Sequence, residues 1–567
     1  MPSALDQRMT AAMGMLTGPG GPLATGEVDS RWGVKLPVIT AAPPTLPAYM
    51  AHYCAEHAAK TFLVAGEERL TFADVHALAQ QVAHGLVAKH GVRKGDRVGI
   101  AMRNSPAWIA TYMGVLAAGG VATLLNGWWQ SDEMASAVHD VECSLIVADG
   151  PRAKRLRAVE GLPALVELDD TRPLAEAVAP LAGEGVTLPE IGPDNWATIL
   201  FTSGSTGQCK GAISTHRAVL QGVFNYLAQA MMMLSLAMQD GTATGEQPST
   251  LLNVPLFHVT AEVPVFLQSF AMGRKLVLMP KWDAEDAMRL IQQERISYFV
   301  GVPLMSYEIL NHPKRSHYDL SSVTDFAAGG APRPADHVKR IKEEMGGGAP
   351  LLGYGLTETN GVGSGNWRDN YLAKPNSAGL PSRPLVDMAI LDASGRPVPA
   401  GERGEIGIRS ICNFTEYWGK PEATAAAFTA DGYFLTGDIG YLDEDGYVYI
   451  VDRKKDIIIR GGENISCQEV EAALYRHPGV AEAAVFGLPD ERLGECPGAV
   501  VHPADGAALD EAGLKAFMAE HIAAFKVPAR IWFSAEPLPR LGTEKIDKVG
   551  LRTRYREEWA RETSSGA

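Results

Sequence analysis

Cysteine is scarce. The 567 residues hold six, Cys54, Cys143, Cys209, Cys412, Cys467 and Cys496, scattered without a CxxC pair. A disulfide-stapled scaffold and a cysteine-ligated zinc site are thereby excluded, and the thiols read as reduced in a cytoplasmic protein. Positive charge is in deficit, 51 Lys and Arg against 66 Asp and Glu for a net −15. Such a surface repels nucleic acid and anionic lipid, so no nucleic-acid partner is expected and any anionic ligand must be met by a local site. No metal-ligand spacing is present, nor any internal repeat of about 20–50 residues. Low complexity is confined to a Gly/Pro-rich start and a Ser/Gly tail. Residues 1–30 show no basic segment followed by a long apolar run, so no signal peptide is expected, although Ala11–Leu16 is mildly apolar.

Apolar runs of membrane-spanning character are lacking too. Ala107–Leu125 is uncharged, but Gly119-Gly120 interrupts it and Val121–Leu125 restarts as a β-like run, which predicts helix, turn and buried strand. Ala218–Gln239 is also uncharged, yet Gln221, Asn225 and Gln229 recur at i, i+4 and i+8 as one polar stripe on an amphipathic helix. No transmembrane segment is expected.

What is present is an ordinary globular composition, 46% hydrophobic and 21% charged, with enough length for two or three domains. Through about residues 45–350, apolar runs such as Arg97–Ala101, Ser144–Val147, Thr198–Phe201, Thr250–Val254, Lys275–Met279 and Tyr298–Val302 alternate with periodic segments such as Ala284–Arg295. That alternation predicts α/β layering with mostly parallel strands. From about Gly379, turn signals at Ala393-Ser394-Gly395, Ala400-Gly401, Asp431-Gly432 and Asp445-Gly446 punctuate short strands, predicting an antiparallel, barrel-like subdomain. The charged run Asp452–Asp456 then precedes a fresh mixture of helix and strands.

The most informative segment is Ile199-Leu200-Phe201-Thr202-Ser203-Gly204-Ser205-Thr206-Gly207-Gln208-Cys209-Lys210-Gly211. A β-like run feeds small hydroxyl residues and glycines that end in one lysine, a composition suited to cradling phosphate. It is neither a Walker loop nor a nucleophile elbow, since Cys209 and Gly211 flank the lysine and Ser203 stands two before Ser205. Thr357 beside Glu358 offers oxygen ligands of the kind Mg²⁺ takes alongside phosphates and waters. Asp438, just past a strand-like run, suits bidentate acceptance from ribose hydroxyls.

At these residues the chain resembles the adenylate-forming superfamily of acyl-CoA synthetases, luciferases and peptide-synthetase adenylation domains, whose loop reads T-S-G-[ST]-[ST]-G-x-P-K-G. Cys209 replaces its proline. Tyr354-Gly355-Leu356-Thr357-Glu358 matches Y-G-x-T-E, and Tyr433–Asp438 matches Y-x-x-T-G-D. Asp452–Asp456 with Gly461–Ile465 matches the hinge and its following loop, and Leu538–Asp547 resembles L-P-[RK]-T-x-x-G-K, with Glu544 in place of its glycine. The five matches occur in order. They imply a large N-terminal α/β domain of layered sheets over 1–454, with the barrel-like subdomain at 379–451, and a small mobile α+β domain over 455–567.

The resemblance implies ATP, Mg²⁺ and CoA. Thr202, Ser203, Gly204, Ser205, Thr206, Gly207 and Lys210 hold phosphate; Gly330, Ala331, Pro332, Gly353, Tyr354, Gly355 and Thr357 the nucleotide; Asp438 and Arg453 the ribose. Thr202 and Glu358 serve the metal and catalysis, Lys545 stabilises charge at the α-phosphate, Lys455 is the hinge, and Gly461-Gly462 line the CoA channel. His258, in Pro255-Leu256-Phe257-His258, replaces the aspartate of amino-acid activators and acts as pocket wall or gate, with Tyr226, Val302 and Gly330 completing the acyl pocket. Ala261 stands where a glycine is usual, and Phe224, Met231, Met232, Met233 and Met238 come near the wall. The expectation is a ligase joining a small-molecule carboxylic acid, a medium- to long-chain fatty acid, to CoA. Aryl, cinnamoyl-type or steroid side-chain acids, and a separate carrier protein as acceptor, are alternatives. A luciferase-like oxygenase and a non-catalytic acyl or nucleotide binder are rivals of another class. The assembly is left open, a homodimer included.

Overall fold

Apolar strands and capped helices alternate as the composition requires, and the alternation builds layered sheets. The computed structural model describes residues 2–202, 209–330, 333–460, 463–541 and 545–564. The chain divides into two compact units, Met1–Met388 with Gly407–Leu435 and Glu444–Tyr447, and Ala389–Ile406 with Thr436–Asp443 and Val448–Ala567.

Among the described residues the first unit holds two large sheets. One runs Glu416–Tyr417, Lys210–Thr215, Trp196–Thr202, Val121–Leu124, Arg97–Ala101, Leu145–Asp149, Ala164–Leu168. Its inner strands pair parallel, whereas Lys210–Thr215 turns back antiparallel on Trp196–Thr202 with Lys210 opposite Thr202. The other runs Leu380–Pro381, Ser364–Trp367, Ala349–Tyr354, Asp325–Ala328, Tyr298–Gly301, Ser249–Leu252, Lys275–Leu278, Thr61–Ala65, Glu68–Thr71. Its four strands from Ala349–Tyr354 to Ser249–Leu252 are mutually parallel, so their carboxyl ends leave the sheet along one edge.

The two uncharged stretches are core elements. Ser105 caps the Pro106–Ala117 helix, which is buried along its whole length; Gly119 turns at φ +78° and Val121–Leu124 is a buried strand. His216–Gln239 is one helix, long and apolar enough to cross a membrane by composition, but 72% of its most apolar window is buried in the fold. Its polar stripe lies inside. Gln221 accepts from Ile39 N (2.7 Å) and donates to Ile39 O (3.0 Å), satisfying the backbone of an N-terminal strand, and Asn225 and Gln229 are also buried. The Ala4–Thr17 helix covers the far end of the same helix, where Met9 and Ala12 pack on Met232, Met233 and Leu236.

The segment expected to be barrel-like supplies a four-stranded sheet in the order Asp387–Leu391, Gly404–Arg409, Phe434–Leu442, Val448–Arg453. Its first three strands contribute residues to both units. In the second unit, Gly494–Pro503 pairs with Val480–Asp490, Ile458–Arg460 and Arg530–Phe533. Strand alternation sends Val485 and Val501 to one face, with Val470 and Leu514 of two helices, and Phe486 and Val500 to the other, with Leu551 and Tyr555 of the Lys548–Ser564 helix.

Close backbone approach sets one strict requirement in the first unit. A Cβ at Gly85 would lie 1.7 Å from Leu181 O and 2.7 Å from the carbonyl carbon of Ala182, where the Phe72–Ala88 helix meets residues 181–183. Gly85→Ala is therefore expected to destabilise the unit by about 1–3 kcal/mol. A thermal melt with an unshifted first transition would refute this.

Candidate active site

Four loops leave the parallel edge of the nine-stranded sheet together. Asn253–His258 follows Ser249–Leu252, Val302 follows Tyr298–Gly301, Gly330 follows Asp325–Ala328, and Gly355–Glu358 follows Ala349–Tyr354. The crevice beyond the carboxyl ends of parallel strands is where open α/β sheets bind ligands. Each loop is held. Asn104 donates to Val254 O (2.8 Å) and accepts from Leu256 N (2.8 Å), fixing the approach to His258. The His258 Nδ1 accepts from Thr260 N (3.3 Å), which leaves the neutral ring's proton on Nε2. Gly330 sits at φ +77°, and at Gly355 a Cβ would lie 1.9 Å from Gly361 O.

The turn Thr357–Thr359 carries Glu358, a buried carboxylate. Asn360 closes it in the left-handed region, φ +50°, and its Nδ2 donates to Ser214 Oγ (3.1 Å) and Cys412 O (2.7 Å). The turn is thereby tied to the strand Lys210–Thr215. Tyr417, on the edge strand beside it, donates its hydroxyl to Glu358 Oε1 at 2.7 Å, and Lys210 Nζ lies 4.7 Å from the centre of its ring. Burial, then the Glu358 charge, push the Tyr417 phenol well above its ordinary value, so it stays a donor. Thr202 ends the strand that pairs with Lys210. Ser203, Gly204, Ser205, Thr206 and Gly207 between them, with Ala331 and Pro332, lie outside the described residues.

The side chains the motifs offer a metal, those of Thr202, Thr357 and Glu358, carry oxygen donors only. Among the described residues no group of three or more His, Cys, Asp or Glu gathers to hold a metal. A buried carboxylate such as Glu358 fits Mg²⁺, which takes few protein oxygens and leaves the rest to phosphate and water.

Of the expected acyl-pocket residues, Tyr226 donates to Gly361 O (2.5 Å), and Gly361 also faces Val259, next to His258. Tyr226 and Val259 therefore meet the chain just after the turn that carries Glu358. The methionines do not all follow. Met232 and Met233 belong to the cluster under the N-terminal helix, Met238 is 67% exposed, and Phe224 packs on Tyr49. Glu262 is buried, accepts from Tyr112 (2.8 Å), and burial pushes its carboxyl up to about 7.

The second unit assembles another group. Asp438 and Arg453 are cross-strand partners, with Arg453 Nε 3.4 Å from the buried Asp438 Oδ1. Lys545 sits on a loop closed by the Arg540–Ile546 bridge, by Leu541 N donating to Lys545 O (2.7 Å) and by Asp547 N donating to Pro539 O (2.7 Å). Two carboxylates anchor the loop's ends. Glu482 accepts from Leu538 N (2.6 Å) and pairs with Arg540, and Glu471 pairs with Lys548 Nζ at 2.6 Å. Burial alone would lower the Lys548 ammonium, but Glu471 outweighs it and holds the charge above its ordinary value. Lys545 is pulled the other way. Burial and then the Arg453 guanidinium lower it to about 8, against the opposing pull of Asp438. Lys455 is exposed in the turn after Val448–Arg453, and Gly461 and Gly462 lie outside the described residues.

Tyr417, Asn360 and the Glu471–Lys548 pair carry no sequence signal; each joins positions far apart in the chain. Because Arg453 depresses Lys545, Arg453→Gln is expected to raise its apparent pKa above 8, read by NMR of the ¹³C-methylated lysines. A value unmoved in that variant would show that burial alone sets it.

The chain is similar to known proteins over most of its length. The AMP-binding enzyme model matches residues 50–418, and the AMP-binding enzyme C-terminal domain model matches residues 469–545. A feruloyl-CoA synthase of Amycolatopsis sp is 36% identical over 490 residues, 86% of this chain and 95% of that protein. A long-chain-fatty-acid–CoA ligase of Bacillus subtilis (strain 168) is 33% identical over 550 residues, covering 91% and 94%. The crystal structure of ATP-bound MatB from Rhodopseudomonas palustris matches with a TM-score of 0.78 at 28% identity, covering 91% of this chain and all of that one. With the family model spanning well over half its length, the chain belongs to the AMP-binding enzyme family.

Proposed function

We propose that the protein is an AMP-forming acid:CoA ligase whose acid is a medium- to long-chain fatty acid. It uses ATP, Mg²⁺ and CoA. The observation that carries the residue assignment is Lys545, presented by a doubly anchored loop within the electrostatic reach of the Asp438–Arg453 pair. Free thiols throughout the described chain and the supply of ATP and CoA support a cytoplasmic setting.

In the first half-reaction a carboxylate oxygen bonds to the α-phosphorus of ATP and the bond to pyrophosphate breaks, giving acyl-adenylate. Negative charge builds on the phosphate oxygens, and the Lys545 ammonium with Lys210 stabilises it. Asp438 accepts from the ribose hydroxyls, reinforced by Arg453. Thr202 and Glu358 would hold Mg²⁺, which neutralises phosphate charge when bound. In the second half-reaction the CoA sulfur bonds to the acyl carbon, AMP leaves with the bonding pair, and the thiol proton passes to solvent. Lys455 serves as the hinge between the two, and Gly461-Gly462 as the passage for the pantetheine arm.

The fatty-acid reading draws on the long-chain relative and on His258 in place of an ammonium-binding carboxylate. The feruloyl relative favours a second reading, an aryl or cinnamoyl acid. Pyrophosphate release across alkyl, aryl and steroid acids, with and without CoA, separates them. A CoA-stimulated peak among alkyl chains is expected, and a peak among aryl acids would replace the first reading with the second.

Lys545→Ala should abolish adenylation yet spare CoA transfer from a supplied acyl-adenylate; equal loss of both would remove Lys545 from the first step. Because the protonated form is the useful one, adenylation kcat/KM should fall as pH rises through about 8. Lys545→Arg, charged throughout, should flatten that limb. A wild-type profile level to pH 9.5 would contradict the assignment.

A further inference from the structure

Tyr417 belongs to none of the motifs that mark the site, yet it touches two of their side chains. Its backbone is pinned from both sides. Tyr417 pairs with Ala212 and Glu416 with Ile213 across the sheet edge, Trp418 N donates to Gly211 O (2.8 Å), Thr415 N to Ile213 O (2.7 Å), and Tyr417 N to Thr424 Oγ1 (3.0 Å). The ring is buried and packs against Phe414 at 4.7 Å between centroids. From this fixed position the hydroxyl donates to Glu358 Oε1 (2.7 Å), while the ring face receives the Lys210 ammonium at 4.7 Å.

We propose that Tyr417 is a positioning residue for adenylation, orienting the Glu358 carboxylate toward the metal through its hydroxyl and setting the place of the phosphate-binding Lys210 through its ring. The proposal rests on the reading of Glu358 and Lys210 given above. A rigid side chain with two torsions spans the acid and the cation, holding the ammonium over its face and the carboxylate at its rim. A hydrogen-bond donor behind a metal-binding carboxylate fixes the plane in which its oxygens are offered, and loss of such a partner costs about 10- to 100-fold in metal affinity or activity. The ring contact does a separate job, since a lysine stem of four methylenes needs something to hold its head.

Two variants divide the two contacts. Tyr417→Phe removes the hydroxyl and keeps the ring, so Mg²⁺ dependence should move without the acid KM. The Mg²⁺ concentration for half-maximal pyrophosphate release should rise about 10-fold or more, with CoA transfer from a supplied acyl-adenylate unchanged. Tyr417→Leu removes both contacts and should in addition weaken ATP binding measured without Mg²⁺, which Tyr417→Phe should leave alone. Calorimetric titration of the full chain with ATP, with and without Mg²⁺, reads both effects without turnover. It therefore tests Tyr417 even if no acid in the panel is activated and the ligase reading fails. Wild-type Mg²⁺ enhancement of ATP binding in Tyr417→Phe would overturn the proposal, as would equal losses in both half-reactions, which mark a merely structural residue.

Discussion

The parallel register of four neighbouring strands is the constraint on which the first unit's site depends. Ser249–Leu252, Tyr298–Gly301, Asp325–Ala328 and Ala349–Tyr354 all point the same way, so every chain exit along that stretch opens on one edge. Loops a hundred positions apart in the chain, from that of His258 to that of Glu358, leave the sheet along one edge for that reason. The helices between the strands supply the burial that covers the sheet, and the loops are left to carry chemistry.

Charge is handled locally, as a chain of net −15 that binds a polyanion must handle it. Cations are placed where something rigid holds them: Lys210 over the Tyr417 ring, Arg453 beside Asp438, Lys548 against Glu471. The pairs differ in purpose. Lys548 is buried with its partner and anchors a loop, whereas Lys545, three residues earlier, is depressed by its surroundings. Short-range anchoring thus sets the position of a residue whose own interactions are left unfavourable, a common arrangement at reactive sites.

Much of the fold was legible. The strands around Arg97, Leu145, Ile199, Leu251, Leu276 and Phe299 and the helix Ala284–Glu294 fall where apolar runs and 3.6-residue periodicity place them. The polar stripe Gln221, Asn225 and Gln229 was legible as a pattern and not as a location. A stripe of amides faces water unless another segment covers it, and at Gln221 the strand Lys35–Ile39 does so. The methionines likewise announce apolar surface without saying whether a ligand or a neighbouring helix meets it.

The sequence by itself determined the motifs, with the threonine, glutamate, aspartate and lysines they carry, and the alternation that makes an α/β fold. These are local properties, written in adjacent residues and short periods. Only the tertiary structure decided which of them share a neighbourhood and what holds them there. The Tyr417–Glu358 bond spans 59 positions and the Lys548–Glu471 pair 77, and no pattern within a strand or helix encodes a contact made by folding segments of that separation together.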